Sequence, residues 1–206
     1  MCGRFYLDAD AEFLLNYFKI KYKPAVDIPK DTVFPAQSAP VVIEHKSERR
    51  FGQMNWGFRR PEDKRVIFNS RSEGIFDKWL FKEAIRSKRC VVPATGFYEW
   101  NAEKTGYSVE LPDHDLMCFA GIYRKQLDKN GEEEWAFSIV TREANADMHQ
   151  IHERMPLMLK PEEVDLWLSE AADVSEITSV LNADIGALLL SLKDQPSDLG
   201  QIKLDI

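Results

Sequence analysis

Cys2 has the most distinctive chemistry in the sequence because it directly follows the initiator Met1. A cysteine is small enough that removal of Met1 is expected, which leaves a free α-amine beside a thiol. The α-amine has a pKa of about 7.7–8.0, so a useful fraction is neutral at pH 7. A neutral amine attacks an aldehyde to give a Schiff base, and the neighbouring thiol can then close a thiazolidine ring. Two other interpretations stay open: a thiol nucleophile for acyl transfer, and an incidental cysteine at a frayed chain end.

Glu99 lies among aromatic residues, in the sequence Gly96-Phe97-Tyr98-Glu99-Trp100. A carboxylate beside aromatic rings is desolvated, which favours its use in proton transfer. Strand alternation offers a simpler alternative, since Glu99 faces water if Trp100 faces the core.

His152 stands two residues before Arg154 and close to Pro156, where it could orient or protonate a reacting oxygen. His149 makes a metal pair conceivable, but no further ligand has the spacing of a metal motif. Either histidine could equally be a surface residue at a helix end.

The segment Asn69-Ser70-Arg71-Ser72-Glu73 is a further candidate. Asn69 can fix a nucleophile through amide hydrogen bonds, and Arg71 can hold a phosphate bidentately. Alternatively, Ser70 and Glu73 form a capping box at the start of a helix.

Charge is distributed unevenly along the 206 residues, whose formal net charge is −7. Residues 1–100 carry 18 basic and 13 acidic side chains, whereas residues 161–206 carry 2 and 10. This excludes a broad basic surface but leaves room for a local basic groove. No apolar run is long enough to span a membrane, no secretion signal is evident, and three scattered cysteines do not indicate disulfides. We therefore expect a reduced, cytoplasmic protein.

The hydrophobic pattern predicts an α+β fold, with a mainly antiparallel sheet or barrel-like core flanked by helices. Strands are expected at 41–44, 51–58, 90–92, 97–100, 107–111, 116–123 and 135–140, with a closing strand at 188–192. Helices are expected after Asp8, over 77–88, from Pro161 and over 173–183. We expect a single domain over 1–206 with an acidic, helical C-terminal portion from about 161.

Taken together, several segments resemble the SRAP (SOS-response-associated peptidase) family over roughly residues 1–160. Each segment alone is weak, but their order behind a cysteine at position 2 is specific. They are Met1 to Phe5, Phe34 to Gln37, Trp56-Gly57, Asn69 to Glu73, Arg89 to Ala94, Gly96 to Trp100, Phe119 to Gly121, and Thr141 to Pro156.

The resemblance implies a protein that recognises abasic sites in single-stranded DNA and traps the sugar aldehyde as a thiazolidine on Cys2. It further implies that Asn69 positions Cys2, that Glu99 moves protons, and that His152 assists sugar ring opening and crosslink reversal. It implies no metal and no organic cofactor, and we expect a cytoplasmic monomer associated with the nucleoid during DNA damage. The DNA contacts that it implies are Gly3, Arg4, Pro35, Trp56, Arg71, Trp100 and Arg154.

Two functions of other classes remain alternatives. One is a thiol peptidase or autopeptidase in which Cys2 is the nucleophile and Glu99 and His152 are base and orienter. Met1 directly before Cys2 leaves this reaction no leader to remove other than the initiator itself. The other is a non-covalent module for single-stranded DNA, in which Cys2 is incidental.

Overall fold

The computed structural model describes residues 2–21, 26–60, 63, 65–112 and 116–192, and it contains fourteen strands and five helices in that part of the chain. The strands are β1 (Phe5–Tyr6), β2 (Ser38–His45), β3 (Glu48–Trp56), β4 (Phe58–Arg59), β5 (Val66–Ile67), β6 (Asn69–Arg71), β7 (Arg89–Ala94), β8 (Gly96–Trp100), β9 (Gly106–Glu110), β10 (Met117–Leu127), β11 (Glu133–Glu143), β12 (Arg154–Pro156), β13 (Met158–Leu159) and β14 (Leu189–Leu192). The helices are α1 (Ala11–Tyr17), α2 (Lys82–Ser87), α3 (Ala146–His149), α4 (Pro161–Leu168) and α5 (Val174–Leu181).

Five of these strands close into a barrel, in the order β11-β3-β2-β7-β10 and back to β11. The neighbours in this ring pair antiparallel except β11 and β3, which run parallel. Strand β6 also pairs parallel with β11. The predicted α+β class with a mainly antiparallel, barrel-like core is confirmed.

A second sheet, in the order β1-β8-β9-β14, stands beside the barrel. Strand β8 follows β7 after the single residue Thr95, so the chain passes directly from one sheet to the other. One apolar cluster, which includes Cys2, Trp56 and Phe97, contains residues of both sheets. A second cluster, which includes Ile85 and Trp167, lies under the helices on the opposite face.

The helices differ from the prediction at two places. The first helix is capped by Asp10 rather than Asp8, since the Asp10 carboxylate accepts a hydrogen bond from Phe13 N at 2.7 Å. The helix expected over 77–88 is confined to Lys82–Ser87, and Trp79 is 56% exposed instead of packing as an apolar helix position. No helix in the described residues is long and apolar enough to cross a membrane.

Candidate functional site around Cys2

The start of the chain is held in the second sheet, not frayed. Strand β1 pairs antiparallel with β8, placing Phe5 opposite Phe97, and Arg4 O accepts a hydrogen bond from Tyr98 N at 2.9 Å. This pairing carries Cys2 into the apolar cluster that contains residues of both sheets, where it has 0% exposure. The frayed-terminus interpretation of Cys2 is therefore wrong for this structure.

Asn69 contacts Cys2 directly. Its amide Nδ2 donates a hydrogen bond to the Cys2 carbonyl oxygen at 2.8 Å, across 67 residues of sequence. Its Oδ1 is buried and has no hydrogen-bond partner among the described residues. The alternative of a capping box at Ser70 is wrong, because Asn69 opens strand β6 and pairs with Ile139 of β11. The Asn69 amide thus holds the Cys2 backbone through Nδ2, and its Oδ1 is a hydrogen-bond acceptor without a partner among the described residues.

Glu99 points into the protein, on the same face of β8 as Phe97, and is only 5% exposed. Its Oε1 accepts a hydrogen bond from Trp100 N at 3.1 Å. The alternative that Glu99 faces water is therefore wrong. Burial raises the pKa of the Cys2 thiol well above its usual range, and the negative charge of Glu99 raises it further. A protonated thiol and a buried carboxylate therefore lie close enough to interact electrostatically.

His152 lies on the segment between α3 and β12, at the same end of β11 as Asn69. Strands β6 and β12 flank Thr141 of β11, which pairs with Arg71 on one side and Pro156 on the other. The His152 ring accepts a hydrogen bond at Nδ1 from Arg154 N, at 2.9 Å. In a neutral imidazole the proton then belongs to Nε2, which becomes a hydrogen-bond donor.

His149 is exposed on α3. Within the described residues, no group of three or more His, Cys, Asp or Glu side chains could hold a metal ion.

Arg4 lies between two aromatic rings at the edge of this site. Its guanidinium carbon is 4.5 Å from the centroid of the Trp100 ring and 5.1 Å from that of Phe34. Rings on the guanidinium faces hold the side chain by cation–π contact and leave its N–H edge to bind an anion. Phe34 was not singled out from the sequence, although it directly precedes Pro35.

The other implied DNA contacts have different surroundings. Gly3 and Pro35 are half-buried next to Arg4 and Phe34, and Arg71 is exposed at the end of β6. All three positions are at least partly accessible to a ligand.

Trp56 requires a correction. It is completely buried, its Nε1 donates a hydrogen bond to Phe68 O at 2.8 Å, and its ring stacks on Phe137. A ring without exposed surface cannot stack on a DNA base, as the resemblance implied. Trp56 instead holds the backbone at Phe68, the residue before Asn69, through this hydrogen bond.

Arg154 is already engaged within the protein. Its two Nη atoms donate to the Glu73 carboxylate at 2.7 and 3.0 Å, and Nη2 also donates to Thr141 O at 2.8 Å. This pairing lowers the pKa of Glu73. Glu73 appeared in the sequence only as a capping residue, because its partner lies 81 positions away.

Comparison with known proteins shows the family of the chain. Residues 1–190 match the family model described as SOS response associated peptidase (SRAP). The chain is 32% identical over 180 residues to the abasic site processing protein YoqW of Bacillus subtilis, covering 82% of this chain and 80% of that protein. It is 29% identical over 187 residues to the abasic site processing protein HMCES of Xenopus tropicalis, covering 72% of this chain and 54% of that protein.

A solved structure of a protein from Bacteroides thetaiotaomicron (target BtR8) is also similar. It superposes with a TM-score of 0.80 at 28% identity and covers 93% of this chain and 91% of that chain. With the family model matched over most of its length, the chain belongs to the SOS response associated peptidase (SRAP) family.

Proposed function

We propose that this protein recognises abasic sites in single-stranded DNA and captures the sugar covalently on Cys2. The observation that carries the proposal is the buried group of Cys2, Asn69 and Glu99, which combines a thiol, a carboxylate and an amide acceptor. The relatives named as abasic site processing proteins support the same substrate.

The reaction balances without an oxidant or reductant. After Met1 is removed, the neutral α-amine of Cys2 adds to the C1′ aldehyde of the ring-opened sugar and forms a C–N bond. Loss of one water gives the imine. The Cys2 sulfur then adds to the imine carbon, the thiol proton passes to Glu99, and the ring nitrogen takes up a proton. The product is a thiazolidine, and one water molecule is the only group released.

The environment of Cys2 favours this order of steps. Burial raises the pKa of the Cys2 thiol, which favours the amine over the thiolate as the first nucleophile. The second step then needs a base, and Glu99 is the buried carboxylate whose charge acts on the thiol. The raised pKa disfavours the alternative thiol peptidase, because a peptidase cysteine attacks as the thiolate.

Asn69 and His152 would form hydrogen bonds to the attacking amine and to the sugar oxygen, respectively. The unused Oδ1 of Asn69 is an acceptor for the N–H of the attacking amine. The His152 ring, whose Nδ1 accepts from Arg154 N, would donate to the sugar oxygen that leaves C1′ when the ring opens.

Selectivity for an abasic site follows from space and charge. A buried Cys2 accepts a bare sugar more readily than a nucleotide with its base. Arg4, Arg71 and Trp100 on the surrounding surface would bind the flanking phosphates and bases. Such contacts weaken with salt, whereas the covalent bond does not.

The decisive experiment mixes purified protein with labelled single-stranded DNA containing one abasic site and separates the products on a denaturing gel. We expect a heat-stable, slow band whose mass is that of protein without Met1 plus DNA minus one water. Cys2→Ala should abolish this band. Cys118→Ala is the matched control, since Cys118 is also a buried thiol but lies in the other apolar cluster.

Three results would contradict the proposal. They are a covalent band with Cys2→Ala, the absence of any band with wild-type protein that lacks Met1, and an equally strong band with intact DNA. The second would favour the non-covalent DNA-binding module, provided that the protein still binds single strands.

A further inference from the structure

The pair formed by Glu73 and Arg154 lies directly beside the proposed site. It joins the turn after β6 to the start of β12, the strand that follows His152. The carboxylate meets the guanidinium in a two-pronged arrangement, with N–O distances of 2.7 and 3.0 Å. This is the geometry with which arginine also binds the two free oxygens of a phosphate group.

The two partners are held very differently. The Arg154 side chain is 15% exposed and is anchored from behind by Thr141 O. The Glu73 side chain is 57% exposed. Gly74, which follows it, has a φ of +66°, a backbone conformation suited to a turn. Moving the carboxylate into water therefore disturbs little, whereas moving the guanidinium would break its contact with β11.

The position of the pair fits a DNA backbone. Arg71, two residues before Glu73, is exposed at the end of β6, and β6 begins with Asn69, which holds Cys2. A strand that places its sugar at Cys2 thus has a phosphate within reach of this end of β6.

We propose that Glu73 occupies the phosphate-binding edge of Arg154 in the DNA-free protein and is displaced by a phosphodiester group of single-stranded DNA. This inference rests on the proposed function, because it assumes that DNA crosses the face above Cys2. Arg154 then contacts DNA only after an exchange of one anion for another. Every binding event includes the cost of releasing Glu73.

Removing the competitor should strengthen binding. Glu73→Gln keeps the size of the side chain but gives up the charge, so it holds the guanidinium less firmly. Partly exposed ion pairs are weak, and we expect the Kd for single-stranded DNA to fall about two- to fivefold. Arg154→Lys lacks the two-pronged geometry, so adding Glu73→Gln to it should bring a smaller gain.

The matched control is Glu143→Gln. Glu143 is exposed, lies opposite Arg154 in the pairing of β11 and β12, and carries the same charge. Both substitutions remove one negative charge near the site, so long-range electrostatics alone predicts equal effects.

Affinities should be measured by fluorescence anisotropy with labelled oligothymidylate that contains no abasic site. The proposal expects Glu73→Gln to bind more tightly than Glu143→Gln. Equal or weaker binding by Glu73→Gln would overturn it and assign the pair a purely structural role. Absence of binding by the wild type would overturn the displacement as well.

The probe separates this inference from the covalent chemistry. If the wild type binds oligothymidylate but gives no crosslink with an abasic oligonucleotide, the proposed covalent function fails while the displacement is still decided by the two variants.

Discussion

Two buried polar groups, Arg89 and the group around Cys2, differ in how their polar atoms are hydrogen-bonded. Arg89, at the start of β7, is only 4% exposed, yet each of its three guanidinium nitrogens donates a hydrogen bond. It donates hydrogen bonds to Ile85 O and Arg86 O at the end of α2, and to Trp167 O and Ser169 O at the end of α4. One cation thereby satisfies the free carbonyl groups of two helix ends.

The group around Cys2 is equally buried, but it contains a polar atom without a hydrogen-bond partner among the described residues. The amide nitrogen of Asn69 donates a hydrogen bond to Cys2 O, whereas its buried Oδ1 has no hydrogen-bond partner among the described residues. Burial opposes ionisation of the Cys2 thiol, and the negative charge of Glu99 opposes it further. The buried Asn69 oxygen costs free energy in the resting protein, because burying a polar atom without a hydrogen bond is unfavourable.

This contrast separates stability from function. Where the nitrogens of a buried cation are paired, the side chain holds two helix ends and a strand together, and its loss should lower the stability of the fold. Where a buried acceptor has no partner among the described residues, as with Asn69 Oδ1, a ligand can supply that partner, and the loss of such a group should affect the reaction instead.

The largest effect is expected from Arg89→Met. The substitution keeps an apolar stem but leaves four carbonyl groups, two of them in buried hydrogen bonds, without this donor, and we expect a loss of about 3–5 kcal/mol in the free energy of unfolding. Urea denaturation measures it. Arg86→Met, on the exposed side of α2, is the control and should cost less than about 1 kcal/mol. Equal losses in the two variants would refute the assigned role of Arg89.

Glu99→Gln should show the opposite behaviour. We expect crosslinking to slow about 100-fold, because the thiol loses its proton acceptor, while the free energy of unfolding stays the same or increases. Single-turnover time courses on denaturing gels give the rate. Glu103→Gln, in an exposed turn, is the control and should react like the wild type. An unchanged rate with Glu99→Gln would leave Glu99 without a role in proton transfer.

The sequence predicted much of this architecture because its strands are strongly apolar. The segment from Cys90 to Val92 and the strand around Phe119 are continuous apolar runs, and the strand around Phe137 is apolar except for Ser138, a pattern typical of core strands. The ordering of the motifs also predicted the family, and with it the grouping of Cys2 and Asn69.

What the sequence did not predict about Glu99, Glu73 and Trp56 has a common physical cause, which is contact with residues distant in sequence. Alternation along β8 assigns Phe97 and Glu99 to one face but does not say which face is inside. That choice is made by β1, which pairs with β8 and brings Cys2 to the same side. Likewise, the partners of Glu73 and Trp56 are distant in sequence, and no local pattern can reveal them.

Buried thiols give a comparison that depends on pH. Burial raises the pKa of Cys118 to about 12 from an ordinary value of 9.0. The unfolded chain therefore loses this proton first, and the contribution of Cys118 to stability is complete below pH 9 and is lost as the pH rises toward 12. Between pH 8 and pH 10 the loss is about 1.4 kcal/mol for this thiol.

Cys118→Ala tests this assignment by urea denaturation at both pH values. The variant loses packing at either pH, but its decrease between pH 8 and pH 10 should be smaller than that of the wild type by about 1.4 kcal/mol. An identical decrease in both proteins would show that Cys118 ionises normally in the folded state.

Trp56 and Trp100 give the smallest and most selective contrast. Trp56→Phe removes the hydrogen bond to Phe68 O and should cost about 1 kcal/mol of stability. Its affinity for oligothymidylate should be unchanged, because the ring has no exposed surface. Trp100→Phe should leave stability nearly unchanged and weaken DNA binding a few-fold, since the indole covers one face of Arg4. Weaker DNA binding by Trp56→Phe than by Trp100→Phe would mean that Trp56 becomes exposed when DNA binds, and that the buried layer beneath Asn69 opens during recognition.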